Sequence, residues 1–148
     1  MRISLASDHG AYMLKEHLKA YLVQKGYQVV DCGTHSRDSC DYPDYCVPAA
    51  QLVADGECER GIVLCTTGIG VSIAANKVSG VRCSLCHDLL SAELTRRHND
   101  GNVLAMGAGI VGLNLAERIV DVFLSTEFDG GRHQRRVDKI TALEGTGG

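Results

Sequence analysis

Short runs of apolar residues recur along the chain, and each is followed by a longer stretch in which apolar positions return every three or four residues. The runs Ile3–Ala6, Gln28–Val30, Ile62–Cys65, Val81–Cys86 and Val103–Met106 have strand-like composition. Between them, Tyr12–Gln24, Tyr45–Val53, Ile69–Val78, Leu89–Arg97 and Leu113–Leu124 carry the spacing of amphipathic helices. This alternation predicts an α/β fold, with a five-stranded parallel sheet, right-handed crossovers and helices on both faces. Such sheets bind ligands outside the carboxyl ends of their strands, so functional residues are expected just after each strand. Beyond Thr126, Gly130 and Gly131 break the chain ahead of a final basic helix with Val137, Ile140 and Leu143 on one face. No strand follows it, so this stripe packs either on its own domain or on a partner subunit.

At 148 residues and 45% hydrophobic content, the chain has the size of one domain, spanning residues 1–148, with enough core to do without staples. The net charge of -3, with basic residues scattered until Arg132, excludes a general polyanion-binding surface and with it nucleic acid as the main partner. No apolar run reaches the roughly 18 residues of a membrane span, and the opening MRISLASD lacks the design of an export signal, so a cytoplasmic protein is expected. Seven cysteines, an odd number without a signal segment, fit reduced thiols in that compartment. Cys83 and Cys86 form a C-x-x-C, but neither a second pair nor an H-x-x-x-H completes a zinc set, so no metal is expected. The pair also raises a thiol-redox or ligand-sensing reading. Against it, the motif sits within a predicted strand rather than at a helix N-terminus, where reactive thiols occur.

The first strand ends in Ser7-Asp8-His9-Gly10, which puts a carboxylate and an imidazole at a strand-to-helix turn. Together they suit sugar hydroxyls; Asp8 alone equally suits an N-cap. The third strand runs into a glycine-rich turn, GIVLC-TTGIG-VSIAANK. Backbone amides from Thr66 to Gly70 can converge there on an anion, and the partial positive charge of the following helix favours a thiolate at the end of the strand. Cys65 then acts as a base while the amides stabilise an enediolate oxygen; the alternative is a buried structural thiol. The turn is neither a Walker motif nor a dinucleotide fingerprint, because no G-K-[ST] follows and Ala74 and Ala75 stand where a third glycine is needed. His98 and Asn99, in the stretch Arg96 to Asp100, offer a proton carrier near neutral pH or simply a solvated helix end. Arg132, His133, Arg135 and Arg136 offer phosphate donors or a solvated first helical turn, a place where the helix dipole mildly disfavours cations.

Taken together, ASDHG, DYP at Asp41–Pro43, GIVLCTTGIGVSIAANK, RRHNDGNVLAMG and GGRHQRRV resemble the type B ribose-5-phosphate isomerases, a family that includes galactose-6-phosphate isomerase subunits. The resemblance spans almost the whole chain. It implies an α/β/α sandwich (Rossmann-like) with a five-stranded parallel sheet, and dimers that can pair further into tetramers, each active site drawing on two subunits. It also implies aldose-ketose exchange between ribose 5-phosphate and ribulose 5-phosphate without metal or cofactor. By that resemblance Cys65, His98 and Thr67 are catalytic, with Cys65 moving a proton between C1 and C2 and His98 opening the sugar ring from the neighbouring subunit. Asp8, His9, Tyr42, Thr66, Gly68, Gly70, Ser72 and Asn99 contact the sugar or form the anion loop, and Arg132, His133 and Arg136 face the phosphate. Two positions depart from the family pattern. Thr66 replaces the glycine of C-G-T-G, and Gly109 stands where G-x-R-x-x-G has an arginine. They open a second reading, the same chemistry on a hexose 6-phosphate or an unphosphorylated aldose such as allose.

Overall fold

The computed structural model describes residues 1–145, so the last three residues of the expected 1–148 domain lie outside the described residues. The strands are β1 (Arg2–Ser7), β2 (Gln28–Asp31), β3 (Arg60–Cys65), β4 (Cys83–Leu85) and β5 (Val103–Gly107). The helices are α1 (Tyr12–Gln24), α2 (Pro43–Ala54), α3 (Ile69–Ala75), α4 (Leu89–Asn99), α5 (Leu113–Ser125) and α6 (Arg132–Thr141). All strand pairs are parallel, in the order β2-β1-β3-β5-β4. This is the α/β/α sandwich expected from the alternating pattern.

Right-handed crossovers fix which helix covers which face. The steps β1→β2 and β4→β5 run one way across the sheet, and β2→β3 and β3→β4 run the other. Accordingly α1, α4 and α5 pack over Ile3, Leu5, Ile62, Leu64, Leu104 and Met106 on one face. On the other face α2 and α3 pack over Ala6, Val63, Cys65, Val103 and Ala105. Leu14, Leu18 and Leu22 form the buried stripe of α1. The one hydroxyl in the middle of β1 is satisfied, since Ser4 donates to Ala49 O at 2.8 Å.

The expected bounds of β4 and α3 need correction. β4 covers only Cys83–Leu85 rather than Val81–Cys86, and α3 ends at Ala75 rather than Val78. Asn76, the cap residue, accounts for the end of α3 and the late start of β4. Its side chain donates to Cys83 O at 2.9 Å and accepts from Cys83 N at 2.8 Å, occupying the strand's first backbone groups. The final helix ends at Thr141, so of the expected stripe Val137 is buried within the subunit while Ile140 and Leu143 are exposed.

Candidate active site

The strand order reverses between β1 and β3, and the crevice at that switch point is where a parallel sheet offers ligand room. Asp8 and His9 follow β1 and Cys65 ends β3, so three predicted residues meet there. Asp8 is buried and caps the short 3-10 turn after it, accepting from Ala11 N at 3.2 Å. His9 Nδ1 accepts from the backbone N–H of Cys40 at 3.2 Å, which fixes a hydrogen on Nε2 of the neutral ring. The Cys65 side chain lies on the α2–α3 face, and its sulfur accepts from Gly68 N at 3.1 Å. Gly68 has φ +77, the conformation that lets the loop fold back over the thiol.

Around that sulfur the loop is held by its own side chains. Thr67 Oγ1 accepts from Ile69 N at 3.2 Å, and Ser72 Oγ donates to Ile69 O at 2.7 Å. Tyr42 closes one side, lying so near Gly70 that a Cβ there would stand 2.5 Å from its Cζ. Thr66 and Thr67 are exposed, with the Thr66 side chain wedged between two glycines. A Cβ on Gly10 would collide with Thr66 Oγ1, and one on Gly109 would stand 3.2 Å from Thr66 Cγ2. Asp8, His9, Tyr42, Cys65, Thr66, Thr67, Gly68, Gly70 and Ser72 therefore form one constellation.

His98, Asn99, Arg132, His133 and Arg136 stand elsewhere. α4 starts after β4 at the carboxyl edge and descends for 11 residues, roughly 16 Å at about 1.5 Å per residue, before β5 climbs back. His98 and Asn99 thus lie at the amino edge of the sheet, opposite Cys65. The His133 ring stacks on His98 at 4.4 Å with 11° between planes, bringing the start of α6 to the same place. Burial, then the neighbouring His98 and Arg132, pushes His133 below the usual imidazole value.

The geometry adds three residues that the sequence did not single out. Asp129 has its carboxylate within 4.8 Å of the His98 and His133 ring nitrogens. That donor set is of a metal-binding type, but Arg97 Nε already donates to both Asp129 oxygens at 3.2 Å. Cys40 orients His9 through a main-chain N–H, which leaves no side-chain signature. His87, just past β4, accepts from Gly107 N at 2.9 Å. The thiol pair Cys83 and Cys86 is split between the two sheet faces, as residues three apart in extended chain must be. Burial raises both thiol pKa values.

Comparison with known proteins agrees with this geometry. The Ribose/Galactose Isomerase family matches residues 3–140. Ribose-5-phosphate isomerase B of Escherichia coli is 49% identical over 143 residues, covering 97% of this chain and 96% of that protein. D-erythrulose-4-phosphate isomerase of Pectobacterium atrosepticum is 40% identical over 145 residues, covering 97% and 95%. The solved ribose-5-phosphate isomerase B of Clostridium thermocellum superposes with a TM-score of 0.98 at 50% identity, covering 100% of both chains. Family match, near-complete coverage and a shared fold together place this chain in the ribose/galactose isomerase family.

Proposed function

We propose that the protein interconverts ribose 5-phosphate and ribulose 5-phosphate through a cis-enediolate, with Cys65 as the base. The observation that carries this reading is the Cys65 thiol seated at the switch point under a loop whose Gly68 N–H already reaches the sulfur at 3.1 Å. In the forward direction the Cys65 thiolate takes the C2 proton, the electron pair forms the C1–C2 double bond, and O1 gains negative charge beside the loop amides. The O2 proton then passes to O1, the electron pair on O2 forms the C2 carbonyl, and return of the Cys65 proton to C1 gives the ketose. Aligned amides in a fixed loop stabilise that oxygen without reorganising, which is where such sites gain most of their rate. Thr67 lies in the same loop, and Asp8, His9 and Tyr42 line the crevice for the sugar hydroxyls.

Ring opening falls to His98 of a second copy, because within one subunit His98 lies across the sheet from Cys65. Its stacked neighbour His133 is biased towards the neutral form by burial and by the charges of His98 and Arg132. Asn99, Arg132 and Arg136 come with that edge and meet the substrate from the same side, the arginines supplying bidentate donors to phosphate. The working unit is accordingly a homodimer with two shared sites, with room for further pairing. Seven free thiols suit the reducing cytoplasm, and no helix among the described residues is long and apolar enough to cross a membrane.

A second reading keeps the chemistry and changes the sugar, favoured by Thr66 filling the space beside Gly109 where the family pattern carries an arginine. Measuring kcat/KM for ribose 5-phosphate, allose 6-phosphate, galactose 6-phosphate and free allose, with EDTA present, separates the two. The first reading predicts preference for ribose 5-phosphate. It also predicts a loss of about 10² to 10⁴ in rate for Cys65→Ala, the usual worth of a general base. Faster turnover of a hexose would establish the second, and near-normal turnover by Cys65→Ala would refute the base assignment.

A further inference from the structure

We infer that His87 is a positioning residue for the proposed oxyanion loop, acting as the acceptor that holds the end of β5 against the loop carrying Cys65. The inference rests on the reading of Cys65 and its loop given above. β4 pairs with β5 through Cys83↔Val103, Ser84↔Leu104 and Leu85↔Ala105, and the last ladder bond runs from Cys86 N to Ala105 O at 3.1 Å. Main-chain groups two residues apart point to the same neighbour, so the Gly107 N–H points to where β4 has already left the sheet. The imidazole of His87 fills that vacancy in the ladder, with Nε2 2.9 Å from Gly107 N. Because the amide is the donor, Nε2 must present a lone pair, and the hydrogen of the neutral ring sits on Nδ1.

Gly107 in turn sets the loop. It stands in register with Cys65, and its neighbours extend the pairing past the strand end: Ala108 N donates to Cys65 O at 2.9 Å and Gly109 N to Thr66 O at 2.8 Å. The contact is backbone on backbone. A Cβ at Gly107 would lie 2.5 Å from Thr67 C, and one at Gly68 would lie 2.7 Å from Met106 C and 2.9 Å from Gly107 N. Gly68 is also the residue whose N–H meets the Cys65 sulfur. A shift of Gly107 is therefore passed through rigid main chain to the amides over the thiol, while the arginines proposed to hold phosphate stand at the opposite edge. Losing the His87 acceptor should act on kcat rather than on KM.

The experiment compares His87→Ala and His87→Gln in the full-length protein, with Cys65→Ala beside them. Gln places an amide oxygen near the position of Nε2 and restores an acceptor without an imidazole. His87→Ala is expected to lower kcat by about 10- to 100-fold, the cost of a displacement of about 1 Å at a reacting centre, with KM changed less than about twofold. His87→Gln is expected to recover most of that loss, and the Gly107 amide to exchange faster with solvent in His87→Ala than in the other two proteins. Wild-type kcat in His87→Ala, or His87→Gln as slow as a folded His87→Ala, overturns the inference. Should His87→Ala fail to fold, slow turnover by a folded His87→Gln overturns it as well. An active Cys65→Ala overturns the catalytic reading itself and this inference with it; an inactive Cys65→Ala beside a fully active His87→Ala overturns the role of His87 alone.

Discussion

At the active edge, individual atoms are placed by glycines as much as by functional groups. Gly107 is the sharpest case, because a Cβ would press on the Thr67 carbonyl carbon and oxygen at 2.5 and 2.6 Å, and main chain yields less readily than a side chain. Gly107→Ala is expected to cost about 1–3 kcal/mol of stability, as overpacking does, and to lower kcat at unchanged quaternary state. Urea unfolding with parallel kinetics checks this, and a variant equal to wild type on both would remove the close approach from the account. Cys65, Asp8, His9 and the glycine-rich turn were legible in the sequence because they stand next to strand ends, and a parallel sheet directs ligands there. The roles of Cys40 and His87 were not legible. Each works through a backbone amide contributed by, or donated to, a residue at least 20 positions away, and no side-chain pattern records such a bond.

Among the elements, α1 and β2 are joined by a charge pair that burial makes consequential. Lys15 is fully buried, and its ammonium lies 2.7 Å from Asp31, whose side chain is 9% exposed. Burial alone would raise the Asp31 carboxyl. Hydrogen bonds from Lys15, the Gly33 N–H and Lys19 outweigh it and hold the pKa below the ordinary value. A carboxyl depressed in the folded state adds stability above its unfolded pKa, and this is lost as pH falls through the folded one. Asp31→Asn leaves Lys15, among the described residues, with only Glu16 as a charged partner at 2.9 Å, and at neutral pH it is expected to cost about 3 kcal/mol. Denaturant unfolding across pH should show that gap starting to close below about pH 4, where the carboxyl of the unfolded chain takes up its proton, and closing fully only as pH falls through the lower value of the folded state. A gap that is absent at neutral pH, or constant down to acid, contradicts the role given to the pair. Most elements were legible from periodicity alone. The end of α3 and the start of β4 were not, because the hydrogen bonds of Asn76 to Cys83 mark both and apolar spacing is blind to them.

For the whole molecule, the decisive fact is that the proposed catalytic groups divide between opposite edges of one sheet. The thiol, its loop and the Asp8, His9 and Tyr42 proposed to face the sugar occupy the carboxyl edge; His98, Asn99, His133 and the arginines occupy the other. Ile69, Ile73, Leu85, Leu90, Ile110 and Leu113 are exposed on α3, at the end of β4 and on the flanking loops and helix starts, more apolar side chains than solvent alone explains. A two-fold dimer that covers them can bring the carboxyl edge of each copy to the amino edge of the other and complete two identical sites. The motifs carried the chemistry, but that its halves sit on two subunits came only as what the family resemblance implies, since a motif by itself says nothing about which end of a helix lies beside which strand. The most direct test mixes two inactive proteins, Cys65→Ala and His98→Asn, under conditions where native mass spectrometry shows subunits exchanging. Shared sites predict recovery to about a quarter of wild-type turnover, because half of the random dimers are hybrids and each hybrid has one intact site of two. Hybrids that form and remain inactive would contradict the shared site.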